Sequence, residues 1–93
     1  MPIDDIKKVI LPILQAHGAT RVGLFGSVTR DELQDSSDID ILVDLKKDLN
    51  LFGFIAIKQQ LEETLRRRVD LVEYSALKPR LKDNILKQQI RLL

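Results

Sequence analysis

The sequence predicts an α/β fold: one small mixed three-stranded β-sheet with helices packed mainly on one face. Three observations carry this. Stretches with apolar residues at steps of three and four alternate with short apolar runs, in the order helix, strand, short helix, strand, long helix, strand, helix. Ile39, Ile41 and Val43 alternate with Asp38 and Asp40, so one face of that run is apolar and the other acidic. The second and third strand runs are separated by a long helical pattern, which lets them lie parallel.

The first helix is expected over 4–17. Ile3, Ile6, Ile10, Ile13 and Leu14 make one apolar face, and Asp4 and Asp5 suit its positively polarised first turn. Pro12 lies inside the pattern and is expected to kink or split it. Gly18 follows His17 as a left-handed stop. The first strand is expected over 20–26. A short helix follows, with Ser27 as its cap, running to about 30 or 33. Residues 31–37 are polar and acidic and read as a loop. The second strand is expected over 38–44.

Asp48 or Asn50 is placed to cap the long helix, expected over 51–67, with Leu51, Phe54, Ile57, Leu61 and Leu65 as its stripe. Glu62 and Glu63 stand at helical spacing from Arg66, Arg67 and Arg68, which suits exposed ion pairs. The third strand is expected over 69–74, with Tyr74 packed at an edge. Pro79 opens the last helix, lined by Leu81, Ile85, Leu86 and Ile90. The apolar end from Ile90 to Leu93 either closes the core or forms an interface.

Ninety-three residues make a single domain over 1–93, with a thin core that leaves room for a partner or for self-association as a homodimer. The formal net charge is +1, so no global field draws the chain to nucleic acid. The absence of cysteine excludes a disulfide scaffold, a zinc–thiolate centre and a thiol nucleophile. No apolar run reaches membrane-spanning length and the first residues lack a signal-peptide layout, so a cytoplasmic protein is the expectation.

Side chains two apart on a strand share a face, so Asp38 and Asp40 point the same way and repel unless a cation lies between them. If the second strand is antiparallel to the first and parallel to the third, Gly26, Ser27, Asp38, Asp40 and Asp70 meet at one end of the sheet. Three carboxylates suit two divalent cations, and oxygen ligands suit magnesium. The Gly26–Ser27 turn opens a helix, whose first N–H groups attract anions. Arg30 stands one turn further on, in reach of the same phosphates. These parts match a nucleoside triphosphate losing pyrophosphate.

Gly26-Ser27, then Asp38-Ile39-Asp40 with apolar residues behind it, then Val69-Asp70-Leu71-Val72 resembles the DNA polymerase β-like nucleotidyltransferase superfamily. Within it, Leu-Phe-Gly-Ser-Val-Thr-Arg followed by Ser-Ser-Asp-Ile-Asp-Ile-Leu-Val resembles the minimal nucleotidyltransferases. The resemblance implies catalytic, metal-binding Asp38, Asp40 and Asp70, two Mg2+ ions, and ATP as substrate. It implies a nucleotide site at Gly26, Ser27, Arg30 and Ser37. It also implies an antitoxin paired with a helical HEPN-type partner, which some members modify by moving AMP to a tyrosine. Many members carry glycine after the arginine, where this chain has Asp31.

Simpler readings stand beside these. Asp70 alone reads as an ion-pair partner of Arg67 or Arg68, Ser27 alone as a helix cap, and the arginine run as a solvated helix end. A binding module of the same fold that neutralises a partner without turnover is the alternative to an enzyme. A nucleic-acid binder is disfavoured by the near-neutral charge and few aromatics.

Overall fold

The computed structural model describes residues 2–26, 38–46 and 49–93. The expected short helix from Ser27, the loop over 31–37 and the capping candidate Asp48 lie outside the described residues.

Among the described residues, three α-helices accompany a four-stranded mixed sheet. They follow in the order α1 (Ile3–Ala16), β1 (Ala19–Phe25), β2 (Ile39–Leu45), α2 (Leu51–Leu65), β3 (Val69–Glu73), a short 3-10 turn (Tyr74–Ala76), α3 (Pro79–Gln88) and β4 (Ile90–Arg91). The sheet order is β3-β2-β1-β4. β1 runs antiparallel to β2, and β2 runs parallel to β3 through the α2 crossover. These are the two pairings that the expected meeting of strand ends requires.

The core lies between one sheet face and α1 with α2. Ile6, Ile10 and Leu14 of α1 and Ile57, Leu61 and Leu65 of α2 cover Val22, Leu24, Ile39, Ile41, Val43, Val69 and Leu71. Each fully buried Leu or Ile contributes about 1.5–3 kcal/mol by leaving water. Gly18 closes α1 with φ 86, and Asn50 caps α2 by accepting the Gly53 N–H at 2.8 Å. No helix among the described residues is long and apolar enough to cross a membrane.

Several expectations need correction. α1 runs without a break through Pro12, which is exposed. The hydrogen bond that proline forgoes is the one to the carbonyl of Lys8, an exposed residue, so water can take its place. Leu51 does not join the buried stripe of α2; it is 69% exposed. α2 stops at Leu65 because Arg66 turns left-handed, with φ 55. Glu62, expected at helical spacing from the arginine run, also accepts the Val69 N–H at 3.0 Å. The last helix ends at Gln88 and buries no residue.

The sheet has a fourth strand because Ile90 leaves the helical path and pairs with β1. Val22 then receives Leu92 and Leu93 N–H groups on its carbonyl and donates to the Leu93 carbonyl. Ile90, Leu92 and Leu93 pack on the core, so the apolar end closes it.

Candidate functional site

β2 and β3 are in parallel register with Ile39 opposite Val69 and Asp40 opposite Asp70. Ile39, Ile41, Val69 and Leu71 face the core, so the alternation turns Asp40 and Asp70 to the other sheet face. Neighbouring strands lie about 4.8 Å apart, which brings these two carboxylate-bearing residues side by side. Asp40 is half-buried and Asp70 exposed. Asp38 is also exposed and stands one residue ahead of β2.

Gly26 ends β1 with φ 75, a left-handed conformation that favours glycine. β1 and β2 pair Phe25 with Asp40, which sets the next residue, Gly26, against the Asp40 side chain. A β-carbon on Gly26 would collide with Asp40 Oδ2 and stand 3.1 Å from Asp40 Cγ. The glycine therefore leaves a cradle that the carboxylate fills. Both strand ends are brought to one place by pairing, as the sequence requires.

The other site residues expected from sequence, Ser27, Arg30 and Ser37, lie outside the described residues. Among the described residues, no group of three or more His, Cys, Asp or Glu side chains closes on a metal position. The donor chemistry of Asp38, Asp40 and Asp70 suits a hard divalent cation, and the missing side chain of Gly26 makes room for the Asp40 carboxylate at that end of the sheet. The fit is one of donor type and strand register.

The same sheet face carries a second cluster that sequence reasoning missed. The Tyr74 hydroxyl donates to Gln89 Oε1 at 2.6 Å. The Arg21 guanidinium lies 3.8 Å over the Tyr74 ring and pairs with Asp44 at 3.3 Å. Gly23 lies directly beneath: a β-carbon there would meet Gln89 Oε1 and stand 2.7 Å from the Tyr74 hydroxyl. Burial pushes the Tyr74 phenol above its ordinary value of 10; Arg21 and Arg91 oppose that shift and Asp44 adds to it. A glycine inside a strand was the available signal, since it marks a close approach. Tyr74 is thus 2% exposed within the 3-10 turn rather than packed at a strand edge.

Comparison with known proteins sets this geometry in context. Residues 8–93 match the family described as polymerase beta, nucleotidyltransferase. A protein of Methanocaldococcus jannaschii that carries the name of a protein adenylyltransferase is 42% identical over 93 residues, covering 100% of each chain. The protein adenylyltransferase MntA of Thermococcus cleftensis is 40% identical over 94 residues, covering 97% of this chain and 95% of its own. A solved structure described as a minimal nucleotidyltransferase superposes with a TM-score of 0.82 at 35% identity, over 97% of this chain and 95% of that one. A chain from a toxin–antitoxin complex with AMP-PNP superposes with a TM-score of 0.83 at 26% identity, over 94% of this chain and 72% of that one.

Proposed function

Because this chain belongs to the polymerase β nucleotidyltransferase family and is a nucleotidyltransferase, we propose that it moves AMP from ATP to a tyrosine hydroxyl of a helical HEPN-type protein that it neutralises as an antitoxin. The adenylyltransferase names of its relatives support the AMP and the protein acceptor. The similar toxin–antitoxin complex with AMP-PNP supports the nucleotide and the partner.

The single observation that carries the chemistry is the register of Asp40 with Asp70 beside the Gly26 cradle. In this reading Asp38, Asp40 and Asp70 hold two Mg2+ ions. The chemistry such a pair supplies is activation of the attacking hydroxyl and stabilisation of the leaving oxygen. Asp70, on the exposed side, takes the proton of the acceptor hydroxyl. The oxygen then bonds to the α-phosphorus as the bond to pyrophosphate breaks. Gly26, Ser27, Arg30 and Ser37 bind the triphosphate and keep the departing pyrophosphate in line.

The test is incubation with α-labelled ATP, magnesium and the product of the neighbouring reading frame. Label is expected on a tyrosine of that partner, and Asp38→Ala and Asp40→Ala are expected to abolish it. Undiminished transfer by both variants sinks the reading. Full neutralisation by both variants without transfer would instead assign a contact-only antitoxin. That second reading draws on Asp31, which stands where many members of the family carry glycine.

A further inference from the structure

Among the described residues, one edge of the sheet is open. β3 is the terminal strand on one side. The Ile39 N–H donates to the Arg68 carbonyl at 2.9 Å while Ile39 is in register with Val69. In a parallel ladder this phase turns the backbone groups of Asp70 and Val72 toward β2 and those of Val69, Leu71 and Glu73 outward. The outward Val69 N–H is taken by the Glu62 carboxylate at 3.0 Å. Among the described residues, the N–H groups of Leu71 and Glu73 have no hydrogen-bond partner.

Beside this edge runs a groove of about 320 Å³, with Leu49, Leu51 and Phe54 on one wall and Leu71 and Glu73 on the other. The apolar surface continues outward: Leu51 is 69% and Phe52 82% exposed. Native proteins usually guard an open edge with charge; β3 carries Asp70 and Glu73, yet an apolar trough runs beside Leu71 and Glu73. Among the described residues, Glu73 is the single charged residue in the groove lining.

We propose that this edge binds an extended segment of a partner protein as an added strand, with an apolar side chain in the groove and a lysine or arginine against Glu73. Leu71 and Glu73 are two apart and share a face, so the occupant's apolar and basic residues are also two apart. Main-chain hydrogen bonds to Leu71 and Glu73 supply binding, and the groove supplies selectivity.

A second copy of this chain is a poorer occupant. Two-fold pairing centred on Leu71 sets Glu73 opposite Val69, whose N–H is already taken. Pairing centred on Val72 sets the two Glu73 carboxylates diagonally across one face, where like charges repel. The proposal is independent of the chemistry at the aspartates, and its readout is not AMP transfer.

The test uses an acetylated threonine heptapeptide with one valine and one lysine two positions apart, titrated into the full chain. Amide resonances and hydrogen exchange are read residue by residue. The Leu71 and Glu73 amides are expected to shift together and exchange at least tenfold more slowly. Glu73→Lys, or a peptide with glutamate in place of lysine, is expected to weaken binding at least tenfold. A peptide N-methylated at the positions that would hydrogen-bond is expected not to bind. Unchanged Leu71 exchange at millimolar peptide, or equal binding of the methylated peptide, overturns the proposal. So does a peptide-free dimer in sedimentation whose Leu71 amide is already protected.

Discussion

The Asp40 carboxylate occupies the space where a β-carbon on Gly26 would stand. A turn at the end of one strand and a side chain on the next are thereby fitted to each other. Gly26→Ala must move one of them and must also hold a left-handed φ. Stability is expected to fall by about 1–2 kcal/mol, read by chemical denaturation. AMP transfer is expected to fall about 100-fold, because displacement of a reacting group by about 1 Å costs that much. Transfer at the parent rate in a folded variant would separate the turn from the reaction.

Asp40 and Asp70 are opposed in register, and like charges directly opposite destabilise a sheet by about 0.2–1 kcal/mol. Asp70→Asn is therefore expected to unfold at a higher temperature than the parent in metal-free buffer. Its AMP transfer is expected to fall by about 10²–10⁴, the usual contribution of a positioned proton acceptor. Magnesium is expected to raise the melting temperature of the parent and not of the variant, since only a ligand that binds the folded state stabilises it. Scanning calorimetry with and without magnesium reads both thermal effects, and α-labelled ATP reads the loss of transfer.

Tyr74 joins the 3-10 turn to the chain's last segment through Gln89. Tyr74→Phe is expected to cost about 1 kcal/mol, the net worth of one hydrogen bond. Its phenol ionises above the ordinary value of 10 in the folded state because it is buried. The folded state thus holds this proton more tightly than the unfolded chain does. The associated stability is complete below pH 10 and is lost as pH rises from 10 through the folded value. Denaturation between pH 9 and 11 is expected to show a steeper loss for the parent than for Tyr74→Phe.

Asn50 caps the helix that carries the crossover between the two acidic strands. Asn50→Ala is expected to cost about 1 kcal/mol in stability. Activity per folded molecule is expected to be unchanged, because the cap touches none of the carboxylates. A loss of transfer beyond the loss of folded protein would contradict this.

Much of this architecture is legible in one dimension because it follows local rules. The alternation of Ile39, Ile41 and Val43 against Asp40 sets the two faces of β2. Gly18 marks a left-handed stop, Gly26 marks the turn that ends the first strand, and the helical pattern expected over 51–67 permits the parallel pairing that sets Asp40 beside Asp70. β4 escaped notice because Ile90 also continues the apolar stripe of α3. Its strand role comes from bonds to Val22, far away in sequence. Leu51 fits the stripe of α2 but is the first residue of that helix and is 69% exposed, and periodicity alone does not show how far a stripe stays covered. The Tyr74 cluster depends on contacts among four separate segments, which no window along the chain contains. For the carboxylates, register was readable, whereas the closeness of side-chain oxygens depends on rotamers that spacing does not determine.

The crossover between β2 and β3 has a consequence in time as well as in space. A chain that has zipped β1 onto β2 already owns Asp38, Asp40 and Gly26, yet it lacks Asp70 until α2 has wound and β3 has docked. Parallel pairing across a helix is a late, long-range closure in folding. Under the proposed roles of the three aspartates, a half-made molecule emerging from the ribosome would be chemically silent until β3 delivers Asp70.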